Sequence, residues 1–279
     1  MEVFSVQQRP ISMPTDSVVP RSKPATAINY DAYFGLDRSG TNLRRWTMQC
    51  LLVERELLSD LPVTSLPEEA RASMRLGFLI LHRINARRWA EVESAPALGG
   101  EAADDWMPTR LQAPLEPLER WKLGHQVLHL YLVAMVTLMG ELQAEVDVLV
   151  SEQIAMTLED VAELFSATSA GMRYASDFDA RAYGDIVRPS MAPPAMPPGF
   201  SGVLNTDHAR MIESLPVTFG ALARRFGEQQ SAWPDAVSNG WTTLVDAQLE
   251  ARRSHRFVCR RFVPDEPSLL RAFRQAGTA

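Results

Sequence analysis

In residues 118–150 apolar side chains recur at every third and fourth position, the most regular patterning in the chain. A turn of 3.6 residues stacks such positions into one stripe along a helix, whereas a half-buried strand needs alternation with period two. No segment alternates in that way between turn residues, so strands are expected to be few or absent and the fold all-α. The apolar run at residues 127–139 is broken by His129 and too short to cross a bilayer, which places the chain in the cytoplasm, with no membrane partner.

Other helices flank this one. Thr41 and Asn42 offer a cap for a helix over residues 43–58, and Pro67-Glu68-Glu69 suits the first turn of a helix running to about Val92. Residues 94–117 hold two glycines and four prolines and read as a loop. Thr157-Leu158-Glu159-Asp160 has the spacing of a helix start and predicts a short helix to Thr168. Residues 188–202 carry five prolines and two glycines, which excludes a helix or a central strand. Met191, Met196 and Phe200 give that stretch something to bury, so it is expected to be a structured loop within one domain. Thr206 or Asp207 should cap a helix over residues 209–226, followed by helices over 236–263 and 268–275. The proline-bearing residues 1–27 read as an extended or disordered arm, leaving 28–279 as a single helical domain.

Composition narrows the function. The 28 basic and 34 acidic residues are interspersed, with a net charge of -6, which argues against a nucleic-acid surface. Two distant cysteines, Cys50 and Cys259, give neither a disulfide framework nor a thiolate zinc site. There is no GxSxG elbow, dinucleotide fingerprint or phosphate loop.

The histidines are more informative. At helical spacing Phe78, His82, Asn85 and Trp89 share one face, placing an imidazole and an amide among apolar residues. The plain alternative is a core histidine bonded to a backbone carbonyl. His125 and His129 have the four-residue spacing of a metal pair, but Gln126 stands where a zinc-protease helix has glutamate, so a structural role is favoured. His208 opens a helix, a good position for an iron ligand, or is an ordinary first-turn residue. His255 lies in a basic helix end, Arg252 to Arg261, whose arginines suit acidic propionates or simply the helix dipole.

Two segments carry a family resemblance. Phe78-Leu79-Ile80-Leu81-His82 followed by Trp89 is similar to the distal helix of tryptophan 2,3-dioxygenases. Arg188-Pro189-Ser190-Met191, then Pro197 to Gly202 and Asp207-His208, resembles the bacterial haem-dependent tyrosine hydroxylases of the same superfamily, which also includes indoleamine 2,3-dioxygenase. The resemblance implies a helical bundle enclosing haem b, with dioxygen or hydrogen peroxide as oxidant and an aromatic amino acid as substrate. It implies His82 as the catalytic residue opposite the iron, and His208 as the iron ligand with His255 as the rival. Phe78, Trp89, Arg188, Phe200 and Ser201 would surround the substrate. Some members tether haem through a cysteine, and Cys259 is available, although a plain buried thiol is the expected state. The expected reaction is hydroxylation of L-tyrosine to a catechol. A tryptophan-type substrate and a non-catalytic haem carrier are the alternatives, and a homodimer is left open.

Overall fold

The computed structural model describes residues 25–38, 42–93, 113–198, 200 and 205–262, and every regular element among them is helical. The main helices are α1 (Ala25–Phe34), α2 (Leu43–Asp60), α3 (Glu68–Glu93), α4 (Pro117–Glu145) and α5 (Ser151–Ala175). Two short helices, α6 (Ala180–Ala182) and α7 (Arg188–Ser190), flank a π-helical turn at Tyr183–Val187, α7 opening the stretch expected to exclude a helix because Pro189 sits in its first turn, where no amide hydrogen is needed; α8 (Thr206–Phe226) and α9 (Asp235–Phe262) complete the bundle. The protein is thus an all-α, single-domain bundle without a β-sheet among the described residues.

Helix α5 is the spine: α3, α4 and α9 all pack on it, and α8 packs on α4. Small residues permit these close crossings. A Cβ on Gly124 of α4 would collide with the Ala175 backbone and side chain, and one on Gly77 of α3 would stand 2.8 Å from the Tyr131 ring and 2.9 Å from Ala167. Helix α4 is long and apolar enough to cross a membrane, yet more than half of its most apolar window is buried among neighbouring helices. Its apolar length therefore serves the core, where Leu130, Tyr131, Met135 and Met139 are fully enclosed.

A buried ionic node closes one end of the bundle. Asp60 at the end of α2 accepts from Arg120 Nε (2.8 Å), Arg120 Nη2 (2.9 Å), Tyr174 Oη (2.9 Å) and the Leu115 amide (2.9 Å). It joins α2 to the start of α4 and the end of α5, and Arg120 also donates to the Asp177 carbonyl at 2.7 Å. Burial of Asp60 alone would raise its pKa, but the Arg120 guanidinium, the Leu115 amide and the Tyr174 phenol together hold it below the usual carboxylate range.

Several boundaries differ from expectation. Helix α5 starts at Ser151 instead of Thr157, because the Thr157 hydroxyl donates back to the Gln153 carbonyl at 3.0 Å within the helix and caps nothing. Helix α4 ends at Glu145, short of Val150, where the chain turns into α5. Asn205, not Thr206 or Asp207, caps α8: its Oδ1 accepts from the Asp207 and His208 amides, both at 3.0 Å. Helix α1 was not anticipated, and its first residues, Ala25 to Ala27, fall within the stretch read as an arm. The helix expected over residues 268–275 and most of the loop over 94–117 lie outside the described residues.

Candidate functional site

Helices α8 and α9 run antiparallel: Phe219 of α8 meets Trp241 near the start of α9 (5.5 Å between ring centroids), while His208 at the head of α8 feels the charge of His255 near the end of α9. Between them lies an open cleft of about 520 Å³, lined on α8 by Ile212, Leu215, Pro216 and Phe219 and on α9 chiefly by Trp241, Leu244, Val245, Gln248 and Arg252. His208 is one helical turn before Ile212, and His255 one turn after Arg252, so both histidines belong to the same end of this apolar cleft. Both are exposed there. Partial burial, with the charges of His255 and Arg252, holds His208 below the ordinary imidazole pKa, and partial burial does the same for His255. Each therefore offers a neutral ring nitrogen at pH 7.

Cys259 stands one turn beyond His255, its Sγ 3.7 Å from His255 Nε2. It is exposed, which corrects the expectation of a plain buried thiol. Tyr183, on the π-helical turn, feels the charges of both Arg188 and Cys259, which brings Arg188 to the same end of the molecule. Such turns are frequent where a helix must carry a functional side chain.

His125 links this end to an aromatic cluster. It is buried on α4, and its charge is coupled to that of His255. Its Nδ1 lies 2.8 Å from the Trp121 carbonyl oxygen, which only accepts, so the proton is on Nδ1 and Nε2 keeps its lone pair. Burial dominates and lowers its pKa to about 4. The ring stacks on Phe34 at 4.1 Å and 11°, and Phe34, Tyr30 and Tyr33 in turn surround the buried Phe200.

One turn on, His129 is buried on the same helix face. Its Nδ1 lies 2.8 Å from Asp207 Oδ2, which also accepts from Arg38 Nη1 at 2.6 Å. Asp31 holds the other edge of Arg38 through Nε (2.5 Å) and Nη2 (2.8 Å). Burial opposes ionisation of Asp207, but His129 and Arg38 outweigh it and set its pKa at about 2. Trp46 presents an edge to His129 and donates from Nε1 to Asn85 Oδ1 at 2.9 Å.

The structure thus places Phe200 in the aromatic cluster that Phe34 joins to His125, sets His208, His255 and Arg188 toward the same end of the molecule through their charge couplings, and holds three other expected residues apart. His82 sits on the α2–α3 seam with Nε2 2.7 Å from Glu54 Oε2, its side chain 36% exposed. Phe78 is enclosed in the core against Tyr131. Trp89 donates from Nε1 to Thr47 Oγ1 at 3.0 Å. Ser201 lies outside the described residues. The four-residue spacing of His125 from His129 is the sequence signal for His125, and Arg38 carries no such signal. Among the described residues no group of three or more His, Cys, Asp and Glu side chains is arranged to hold a metal ion.

The chain is 29% identical over 167 residues to a 3-methyl-L-tyrosine peroxygenase of Streptomyces lavendulae, a match covering 56% of this chain and 41% of that protein. The chain therefore spans well under half the length of that curated relative. No solved structure matches. A family model described as SfmD 3-methyl-L-tyrosine peroxygenase matches residues 6–236, a span that includes His82, His125, His129 and His208 and stops short of His255 and Cys259. This all-helical chain belongs to the SfmD 3-methyl-L-tyrosine peroxygenase family.

Proposed function

We propose that the chain is a haem-dependent oxygenase that hydroxylates the ring of a tyrosine-type amino acid, with haem held in the α8–α9 cleft. One observation carries the reading: His208 at the head of α8 and His255 near the end of α9 flank the same end of an apolar cleft, each one turn from a lining residue, in a chain of a peroxygenase family. The residues present fit the group. Haem brings four nitrogen ligands of its own and asks the protein for one or two imidazoles, an apolar slot and a cation for its propionates. In this reading His208 would hold the iron, His255 would lie nearby on α9, and Arg252 would supply the cation. Cys259, exposed beside His255, is the residue that would tether the group.

Bound haem would supply the oxidising chemistry by which one oxygen of hydrogen peroxide enters a ring C–H bond while the other leaves as water. The chain's own residues bind and orient. Arg188 is suited to the substrate carboxylate, and Phe200 with its aromatic neighbours provides a dry wall for the ring. His82, held against Glu54 apart from this group, is not assigned the role of base. The substrate class follows the relatives, a phenolic amino acid with or without a ring methyl group.

The full chain produced with haem should show a Soret band that His208→Ala alters. With hydrogen peroxide, L-tyrosine and 3-methyl-L-tyrosine should yield catechols 16 mass units heavier, and L-tryptophan should not react. Haem that resists acid-acetone extraction from the wild type, but not from Cys259→Ser, would support the tether. A chain that takes up no haem, or that oxidises only the indole, refutes the reading.

A further inference from the structure

Consecutive residues at the head of α8 face different ways. Asp207 is buried, pointing back to α4, whereas His208 is exposed toward α9. Neighbouring residues on a helix are separated by a fixed rotation of about 100°. Whatever fixes the azimuth of Asp207 therefore fixes that of His208. The Asp207 carboxylate is held from two directions, by His129 Nδ1 of α4 (2.8 Å) and by Arg38 Nη1 from the segment after α1 (2.6 Å). Arg38 is itself locked by the two-point contact with Asp31 of α1. The cap is tied to α1 as well, since Asn205 Nδ2 donates to Tyr30 Oη at 3.3 Å.

Two further features show why a local restraint is needed. Pro216, inside α8, has no amide hydrogen to donate to the Ile212 carbonyl, so the hydrogen-bond ladder is interrupted between the His208 end and the remainder of the helix. The first turns are thus tied to the second half of the helix by one hydrogen bond fewer. The network is also an expensive way to obtain stability alone. It buries a carboxylate and a histidine and leaves His129 Nε2 without a hydrogen-bond partner, where apolar packing would serve a purely structural purpose as well.

We infer that Arg38 and His129, acting through Asp207, are positioning residues that set the direction of the His208 imidazole, and so couple α1 to the iron ligand. The inference rests on His208 being that ligand, as proposed above. Outer contacts that orient a ligating histidine commonly change affinity for the metal by about 10- to 100-fold.

The test compares ferric absorption and electron paramagnetic resonance spectra and haem affinity in the full-length wild type, His208→Ala, Arg38→Met, Arg38→Lys and Asp207→Asn. Arg38→Met and Asp207→Asn should move the spectra toward those of His208→Ala and weaken haem binding about 10- to 100-fold. Arg38→Lys should restore part of the signal, and added imidazole should reverse the shift in Arg38→Met. The control is Arg120→Met, which breaks a comparable buried ion pair elsewhere in the fold. If it alters the haem spectrum to the same extent, the effect is general destabilisation and the inference fails. Should Arg38→Met not fold, Asp31→Asn loosens the same guanidinium and carries the test. Wild-type spectra in Arg38→Met and Asp207→Asn, alongside a changed His208→Ala, overturn the inference and leave the haem reading standing. A wild-type chain that binds no haem, or a His208→Ala variant indistinguishable from it, overturns both.

Discussion

Asp60→Ala should be among the most destabilising single substitutions in this protein. The Asp60 side chain is fully buried and accepts four hydrogen bonds, two from Arg120, one from Tyr174 and one from the Leu115 amide. Alanine would leave the Arg120 guanidinium, only 10% exposed, with the Asp177 carbonyl at 2.7 Å and a carboxylate oxygen 3.9 Å away. Removing one partner of a buried ion pair costs about 3–5 kcal/mol. In a chain of this size each kcal/mol lowers Tm by roughly 2–4 °C, so a fall of roughly 10 °C is expected. Urea denaturation followed by far-ultraviolet circular dichroism measures the free energy directly. The pH dependence gives a second reading. Because folding lowers the Asp60 pKa, its contribution is complete above the unfolded carboxylate value, near 4, and disappears as the pH falls through the lower folded value. The gap between wild type and Asp60→Ala should therefore be widest at neutral pH and close in acid. A loss below about 1 kcal/mol at pH 7, or a gap that widens in acid, would show that the node does not hold the helices together in the way described.

Three more predictions follow from packing and titration. Gly124→Ala should cost about 1–3 kcal/mol, because its methyl group would force α4 and α5 apart, and thermal melting would measure it. Gly140→Ala meets nothing within 4 Å and should instead raise stability by up to about 1 kcal/mol. His125, with a folded pKa near 4 against 6.5 for a free imidazole, makes its full contribution above pH 6.5 and loses it as the pH falls toward 4. His125→Phe should flatten the stability profile over that window, and equal slopes in the two proteins would contradict the burial argument.

The helices were legible because amphipathic periodicity is a local property of the chain. The stripe in residues 118–150 gave α4, and Pro67-Glu68-Glu69 gave the start of α3 within a residue. Boundaries slipped where a side chain had two local uses, as when Thr157 bonded back along α5 instead of capping it. Helix α1 was missed for a related reason: its low amphipathicity carries no clear stripe, and it is held by Tyr30 and Phe34 packing against Phe200 and His125.

The candidate site divides along the same line. The sequence by itself determined that the chain is helical, that His208 opens a helix, and that His255 and Cys259 lie one turn apart on another. It could not decide which histidines share a space, because that depends on how helices far apart in the chain cross. Tertiary structure brought His208 and His255 to the same end of an apolar cleft, turned His82 out against Glu54, and buried Asp207 where Arg38, 169 residues earlier, could hold it. Periodicity specifies which face of a helix is apolar; the choice of partner for that face is made only when close crossings such as that of Gly124 with Ala175 fix the packing of the whole bundle.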